Sequence, residues 1–450
     1  MAESEGRQHQ SFIEWFLQWQ AAGSVVLLAA TLLALGWANS PWAESYHHLE
    51  HTKIGVSWGD RTFVLSLSHW VADGLMAIFF FVVGLEIKRE LLVGSLSSFR
   101  RAVLPVCAAI GGMIAPAVIY AAINWRGPGM HGWGIPMATD IAFALGIMAL
   151  LGDRVPIGLK VFLTALAIAD DLGAVLVIAL FYSEQIVLGA LLYAAAGLVL
   201  IRVAAYFRIR HIWVYQILMV AVWAAVYASG IHATVAGVFL AMLVPVKPSL
   251  KAHKFFEIAQ SRLAQLQGEA FSEESVLHRA EQRHALGDLA LAAERMQPAG
   301  LKLEHRLHSI QAFLILPLFA LFSAGITIDG KMLAHFPSAV SWGVMAGLVI
   351  GKPLGITLAS WIAVRSGWSE LPEGVNWHHI RSAGMLAGVG FTMSIFVSNL
   401  AFQDPSLGDE AKLAVLLASV VAGVAGYLLL HRFPHLSASS GSADQSASAA

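Results

Sequence analysis

The stretch VFLTALAIADDLGAVLVIALFY, residues 161–182, decides how the rest of the chain has to fold. It is apolar or small throughout, apart from Thr164 and the adjacent acids Asp170 and Asp171. As a helix it would extend about 33 Å, which is enough to cross a hydrocarbon core of about 30 Å. A carboxylate near the middle of that core costs about 2.5 to 3.5 kcal/mol. Asp170 and Asp171 are therefore the candidate functional centre.

The composition excludes the soluble classes of protein. Hydrophobic residues make up 57% of the 450 residues and charged residues 13%, with a mean hydropathy of +0.68. Such values are typical of a polytopic membrane protein. The formal net charge of -1, with basic residues dispersed among the loops, predicts no nucleic-acid partner. Cys107 is the single cysteine, so disulfides within the chain are excluded, and we expect no cofactor.

Apolar segments long enough to cross a membrane as helices recur along the chain. They cover residues 23–39, 70–93, 102–123, 133–151, 157–182, 186–206, 211–228, 231–246, 309–328, 338–362, 379–402 and 410–431. We therefore predict an all-α polytopic membrane protein with about 12 transmembrane helices. The opening residues lack the basic start and cleavage site of a signal peptide, so we expect the first helix to remain as a signal anchor.

Lysine and arginine residues indicate how these spans are oriented. Twenty-two of them fall in segments on the side of the N-terminus, and five fall on the opposite side. Because loops rich in Lys and Arg stay in the cytoplasm during insertion, both termini are predicted to be cytoplasmic.

Five regions follow from this topology. Residues 1–22 are expected to form a cytoplasmic N-terminus with an interfacial helix, and the Ser/Ala-rich residues 433–450 a disordered tail. Residues 23–247 and 304–432 would form two membrane parts. Between them, the charged and helix-prone residues 248–303 predict an amphipathic helical insertion on the cytoplasmic side.

A small external β-hairpin is predicted from Lys53 to Ser66. Residues 53–58 and 61–66 flank Gly59-Asp60, a pair that resembles a two-residue hairpin turn. An isolated hairpin is only marginally stable in water, so we expect it to pair with something, for example a second copy of the chain.

Two spans carry signs of an interruption. In GIPMATDIAFALG (134–146), Pro136 removes a helix hydrogen bond, and Thr139 and Asp140 can satisfy the backbone groups that a break leaves free. In GMLAGVGFTMSIF (384–396), three glycines precede Thr392 within one apolar segment. Two broken helices in separate halves indicate an inverted-repeat transporter whose discontinuous helices cross near the bilayer midplane.

Lys352 lies next to a proline inside another apolar span. A lone ammonium there is as costly as a carboxylate, so it should have an anionic partner or face the carbonyl ends of a broken helix. Asp170, Asp171 and Asp140 are the available anions, and we expect the pair with Asp170. Another interpretation is that this ion pair only holds two parts of the fold together.

A second acid beside the first favours a functional role over a structural one. Two carboxylates close together in low dielectric cannot both ionise easily, so one can take up a proton at physiological pH. Carboxylate, hydroxyl and carbonyl oxygens also suit a hard cation. Competition of H⁺ and a cation for the same oxygens gives exchange if only the loaded site allows alternating access.

Other polar residues in the spans have open interpretations. His232 is either a core histidine or a functional one, and Asp73 either caps the start of its span or lines an entry path. A metal site at His47, His48, Glu50 and His51 is only weakly suggested, because no second set of ligands accompanies them.

At this point several motifs together resemble the NhaA-type Na⁺/H⁺ antiporters, from about residue 20 to 432. The motifs are VVGLEIKREL (82–91), ATDIAFALG (138–146), ALAIADDLGA (165–174), SGIHATVAG (229–237), GKPLGI (351–356), LPEG (371–374) and GFTMSIF (390–396). NhaA is itself a type example of the inverted-repeat transporters. The chain departs from compact members of the family in its long segment near 248–300.

The resemblance implies a role for each site residue. Asp171 would be the principal Na⁺ or Li⁺ ligand and proton carrier, with Asp170 beside it and paired with Lys352. Thr139 and Asp140 would lie where the two broken helices cross.

A second region would set the response to pH, and the resemblance extends to location and assembly. The pH-response residues would be Glu86, Arg89, Glu304, His305 and His308. The hairpin would join two copies into a homodimer. The protein would lie in a bacterial inner membrane, in contact with its lipids, and pump Na⁺ or Li⁺ out of the cytoplasm in exchange for H⁺, for pH homeostasis and salt tolerance.

Two other classes of function are alternatives to an antiporter: an intramembrane enzyme and a solute symporter. An intramembrane aspartyl protease needs two facing acids, which Asp140 and Asp171 could supply, but its usual GxGD context is missing. A prenyl-transfer enzyme would need DDxxD, whereas Leu-Gly-Ala follows Asp171 here. A Na⁺-coupled solute symporter would need a larger polar pocket than these residues suggest.

Overall fold

The computed structural model describes residues 12–58, 61–183, 186–207, 211–248, 250–267 and 278–432. It is almost entirely helical. Its main elements are α1 Phe12–Ala38, α2 Ala43–His51, β1 Lys53–Trp58, β2 Arg61–Ser66, α3 Leu67–Leu92, α4 Phe99–Ile123, the 3₁₀ half-helix Pro128–Met137, α5 Ile141–Leu150, α6 Ile157–Phe181, α7 Leu188–Tyr206, α8 Ile212–Ala228, α9 Ala233–Leu243, α10 Ala252–Gln267, α11 Ala280–Met296, α12 Ala299–Ser323, α13 Gly330–His335, α14 Ala339–Arg365, α15 Trp377–Ala387, α16 Phe391–Ala401 and α17 Pro405–Arg432.

The helices confirm the predicted all-α polytopic membrane fold. Among the described residues, seven helices are long and apolar enough to cross a membrane: α3, α4, α6, α7, α12, α14 and α17. Two interrupted helices, the shorter apolar helices α8 and α9, and the apolar part of α1 match the remaining predicted spans. Each predicted span therefore coincides with a helix or with a pair of half-helices.

Two helices begin earlier than the hydropathy pattern suggests. α12 begins at Ala299, directly after Pro298, ten residues before the predicted span. Its charged first turns keep a helical period with one buried face, which includes Glu304 and His308. α1 is continuous from Phe12, so the stretch predicted as an interfacial helix continues directly into the first span.

The external hairpin has the predicted strands and register. β1 and β2 pair antiparallel from Lys53 opposite Ser66 to Trp58 opposite Arg61, which leaves two residues for the turn. Those two residues, Gly59-Asp60, lie outside the described part of the chain, as do residues 1–11 and the predicted tail.

The described part of the charged segment before α12 forms two helices. α10 and α11 pack against each other, and Arg262 forms an ion pair with Asp288 at 2.8 Å. At the junction to α12, the backbone N–H of Gly300 donates to the carbonyl of Pro245 at 3.0 Å.

The chain divides into two compact units, each with its own core. One comprises the described residues up to 76, residues 93–183 and residues 312–432, and it has a core of apolar side chains from α4, α5, α6, α14, α15 and α17. The other comprises residues 77–92 and 185–311, with a core from α3, α7, α8 and α9. Both units combine segments from distant parts of the sequence.

Candidate functional site

The first interrupted helix breaks where the sequence predicts. A 3₁₀ half-helix ends at Met137, residues 138–140 are extended, and α5 begins at Ile141 with its axis turned by 43°. Its glycines allow close packing, since a side chain at Gly134 would overlap the ring of Tyr182. The break exposes carbonyls at Met137 and N–H groups at the start of α5, near the middle of the span.

The second interrupted helix has the same form in the later part of the chain. α15 ends at Ala387, and α16 begins at Phe391 at an angle of 47°. Phe391 has a φ of +24°, an uncommon value for a residue with a side chain. Its ring packs on Phe143, with centroids 4.6 Å apart, and its N–H donates to the Ser419 hydroxyl. Neighbouring elements thus hold the strained backbone in place.

The two breaks contact each other directly. The N–H of Asp140 donates to the carbonyl of Val389 at 2.7 Å, and the hydroxyl of Ser394 donates to the carbonyl of Ile135 at 2.8 Å. Backbone groups freed by one break are therefore satisfied by the other, as burial in apolar surroundings requires.

Asp140 caps the N-termini of both second half-helices. Its Oδ1 accepts from the N–H of Phe143 at 3.1 Å in α5, and its Oδ2 accepts from the N–H and the hydroxyl of Thr392 in α16. The side chain is 2% exposed. Because helix N-termini carry partial positive charge, two of them stabilise one buried carboxylate.

Lys352 connects the first break to the central acid pair. Its ammonium donates to the Met137 carbonyl, to the Thr139 hydroxyl at 2.5 Å and to Asp170 Oδ2. These three acceptors match its three N–H groups. Lys352 is fully buried, and a π turn over Gly347–Gly351 immediately precedes it in α14. Such irregular turns within helices often occur at functional sites.

Thr139 ties the acid pair to the second break. Its hydroxyl accepts from Lys352 and has one proton to give, either to Asp170 Oδ2 at 2.6 Å or to the Ala387 carbonyl at 2.9 Å. The C-terminal ends of both first half-helices, Met137 and Ala387, are thus reached by polar side chains. These contacts distribute charge between the half-helix ends.

The two central acids differ in their surroundings. The side chain of Asp170 is 1% exposed. Its Oδ2 accepts from Lys352 and lies 2.6 Å from the Thr139 hydroxyl, while its Oδ1 is buried and accepts no hydrogen bond. Asp171, the next residue of α6, is 2% exposed. Lys352 directs its three hydrogen bonds elsewhere than to Asp171. Carboxylate, hydroxyl and carbonyl oxygens therefore converge here, a ligand set that suits a hard cation.

The other unit holds a buried charged cluster. Arg89 donates to Glu304 at 3.0 Å and to Glu90 at 2.6 Å, and His308 Nδ1 lies 3.9 Å from Glu86 Oε1. Glu86, Glu304 and His308 are each less than one tenth exposed. All of these side chains come from α3 and α12. At the charged end of α3 and the charged start of α12, they pack inward rather than facing solvent.

The cluster differs in two ways from the sequence prediction. His305 is exposed, so it does not share the buried position of His308 one turn later. Glu90 also belongs to the cluster, although it was not among the predicted pH-response residues. Neighbouring Lys88 instead donates to the carbonyls of Met242 and Val244 at the end of α9.

The remaining polar residues that the sequence singled out lie outside the acid pair and the charged cluster. Asp73 lies in a π turn inside α3, whose start is capped by the Ser66 side chain, so the capping interpretation of Asp73 is wrong. His232 is half-buried at the N-terminus of α9. His47 bonds to Glu50 and Thr327. Within the described ranges, no three His, Cys, Asp or Glu side chains are placed to hold a metal ion together.

Several groups at the crossing were not predicted from the sequence. Ser394 and Ser419 are polar side chains in apolar spans, a signal that a list of all intramembrane hydroxyls would have found. Thr392 was named only as part of the interrupted span, and its bond to Asp140 was not predicted. The carbonyls of Met137 and Ala387 give no such signal, since every residue has one and only the fold selects them.

The chain also resembles known proteins over most of its length. It matches the family model of Na⁺/H⁺ antiporter 1 over residues 14–430. It is 45% identical over 415 residues to the Na⁺/H⁺ antiporter NhaA of Oleidesulfovibrio alaskensis, covering 92% of each chain. It is 46% identical over 424 residues to Na⁺/H⁺ antiporter NhaA 1 of Saccharophagus degradans, covering 93% of this chain and 91% of the relative. Likewise, it is 45% identical over 416 residues to NhaA of Wolinella succinogenes, covering 92% of each. The chain therefore belongs to the Na⁺/H⁺ antiporter 1 family.

Proposed function

We propose that this protein is an electrogenic, pH-regulated antiporter that exchanges cytoplasmic Na⁺ or Li⁺ for external H⁺ at Asp170 and Asp171. The observation that carries the proposal is the buried acid pair at the crossing of two broken helices, with Lys352 hydrogen-bonded to Asp170. Insertion of two adjacent carboxylates is costly, and packing alone gives no reason to accept that cost. The names of the relatives, Na⁺/H⁺ antiporters, support the choice of ions.

Asp171 is the principal ion ligand and proton carrier in this proposal. Asp170 is the second ligand, and the buried Oδ1 without a hydrogen bond supports that role because it has a lone pair to offer. H⁺ and Na⁺ compete for these carboxylates, so binding of one releases the other. If both acids lose their protons for each cation carried, the exchange moves net charge.

Lys352, Thr139 and Asp140 support the site rather than bind the ion. Lys352 keeps Asp170 oriented, and its hydrogen bond to Thr139 holds the hydroxyl between the acid and the Ala387 carbonyl. Asp140 stabilises the two helix N-termini, so both half-helices can end at the midplane.

The buried charged cluster regulates the exchange by pH in this proposal. Glu86, Arg89, Glu304 and His308 are supported by their mutual contacts and burial. Buried groups that must gain or lose a proton make a conformational equilibrium depend on pH. His305, on the exposed face of α12, would act only from the aqueous side.

Location and assembly complete the proposal. The excess of Lys and Arg on one side supports a multi-pass protein of the bacterial inner membrane with both termini in the cytoplasm. The hairpin of β1 and β2 would join two copies, since as an isolated two-stranded sheet it is marginal on its own.

Everted membrane vesicles test the function. With a pH gradient established by respiration, addition of Na⁺ or Li⁺ should dissipate the gradient for the unaltered protein, and K⁺ should not. Asp171→Asn should abolish the response, whereas Asp409→Asn, a half-exposed acid at the start of α17, should retain it. A full Na⁺ response from Asp171→Asn would overturn the site assignment.

A further inference from the structure

A long apolar groove runs along the outer face of α4 and α14, away from the acid pair. It has a volume of about 580 Å³, and apolar side chains and glycines line it. Its floor is narrow because Gly111 and Gly355 bring the two backbones into contact; a Cβ on either would overlap the carbonyl of the other. Ile114 and Leu358, each 58% exposed, form part of its walls.

The length of the groove matches one leaflet of a bilayer. On α4 it extends from Cys107 to Ile119, which corresponds to about 18 Å at about 1.5 Å per residue. Half of a hydrocarbon core is about 15 Å. An acyl chain lying parallel to the helices is therefore long enough to fill the groove.

Basic side chains continue the lining at the surface end of the groove. On α14, Arg365 lies three residues beyond the lining residue Ile362, and on α4, Arg100 lies seven residues before Cys107. These spacings place both arginines on the helix faces that line the groove. Both arginines are exposed, and Arg100 is in the first turn of α4, where the helix dipole also favours an anion.

We propose that this groove binds one anionic phospholipid, with an acyl chain between α4 and α14 and its phosphate at Arg100 and Arg365. The apolar lining excludes a polar solute, and the paired positive charges at one end discriminate against a zwitterionic headgroup. α14 also carries the fully buried Lys352. The bound lipid therefore packs on the helix that supports the ion site. The inference does not depend on the direction or ions of transport.

Native mass spectrometry of the purified full chain tests the charge requirement. Phosphatidylglycerol should be retained in preference to phosphatidylcholine with the same acyl chains. Because one Arg near an anionic lipid contributes about fivefold in affinity, Arg100→Gln/Arg365→Gln should lower phosphatidylglycerol retention about 25-fold. The control Arg202→Gln/Arg432→Gln removes two exposed arginines elsewhere and should leave it unchanged.

A second pair of variants tests the groove itself. Ile114→Trp places a large side chain in the wall of the groove and should lower phosphatidylglycerol retention, while Val420→Trp, at a position 64% exposed on α17, should not. Both positions face away from the core, so both variants should keep the melting temperature of the unaltered protein in detergent.

Three results would overturn the proposal. One is equal retention of the two lipids, and another is undiminished phosphatidylglycerol binding by Arg100→Gln/Arg365→Gln. The third is a dimer that forms without lipid and is dissociated by Ile114→Trp, which would assign the groove to a second copy of the chain.

Discussion

At the scale of single residues, Lys352 determines how the acid pair can be held in the membrane. A fully buried ammonium is tolerated only with good acceptors, and it has a carboxylate, a hydroxyl and a carbonyl. The lysine and its partner acid were predicted from the sequence because a lone charge in an apolar span needs a counter-charge. Contact with the carbonyl end of a broken helix was the stated alternative, and Lys352 makes both contacts. The choice of Met137 and the contact with Thr139 were not predicted, since they depend on how the helices cross.

Removal of the lysine should destabilise the fold more than it impairs ion binding. Lys352→Ala leaves Asp170 buried without its counter-charge, so we expect a loss of about 3 kcal/mol in unfolding free energy. The double variant Lys352→Ala/Asp170→Ala should recover much of this loss. Melting temperatures in detergent measure both. Lys412→Ala, which breaks the more exposed pair with Asp409, is the control, and a Lys352→Ala protein as stable as this control would contradict the account.

Asp140 should be important for stability although it is not assigned to the ion. Asp140→Ala removes the acceptor for Phe143 and Thr392, so two helix N-termini lose a cap at about 1 kcal/mol each. Asp140→Asn keeps one oxygen and should lose less. The same melting experiment compares the two variants, and equal stability of Asp140→Ala and the unaltered protein would exclude the capping role.

At the scale of elements, two helices can bring their backbones into contact only where glycines leave room between them. Gly355 in α14 touches the backbone of α4, whereas Gly36 in α1 has open space around the position of a Cβ. Such packing lets helices approach closely in a membrane, where apolar surface alone gives little drive to associate.

The two glycines should therefore respond in opposite directions to the same substitution. Gly355→Ala forces α4 and α14 apart and should cost about 1 to 3 kcal/mol. Gly36→Ala adds a good helix former without a clash and should stabilise by about 0.5 to 1 kcal/mol. Thermal unfolding of both variants in one detergent checks the signs. A stabilised Gly355→Ala would show that the two backbones are not in contact.

The sequence predicts element types better than element ends. Apolar length identified the spans, and Pro136 and the glycines from 384 to 390 identified both interruptions. The predicted start of α12 was ten residues too late, because the charged first turns that begin at Ala299 have one buried face but no hydropathy signal. Of the two roles left open for Asp73, the cap was wrong, since Ser66 caps the helix before the apolar segment begins.

At the scale of the whole molecule, the chain order does not reveal the packing. Residues 77–92 fold with residues 185–311, and the other unit combines three separate stretches. Each core therefore needs contacts between residues far apart in sequence, which periodicity cannot predict. The charged cluster of Glu86 and Glu304 is one such contact, and only the resemblance to the antiporter family suggested it.

The hairpin should determine the oligomeric state and not the exchange itself. Deletion of residues 54–65 leaves the acid pair and both interrupted helices unchanged. We expect the purified protein to shift from dimer to monomer by native mass spectrometry, while vesicles retain Na⁺/H⁺ exchange. A variant that stays dimeric would assign the interface to another surface.

The central claim is that Na⁺ and H⁺ compete for the carboxylates of Asp170 and Asp171. The most direct measurement is proton release when Na⁺ is added to the purified protein in weakly buffered detergent solution, followed with a pH indicator. We predict proton release that saturates with Na⁺ and is reproduced by Li⁺. It should be lost in Asp171→Asn but not in Asp409→Asn. Equal proton release from Asp171→Asn and the unaltered protein would contradict it.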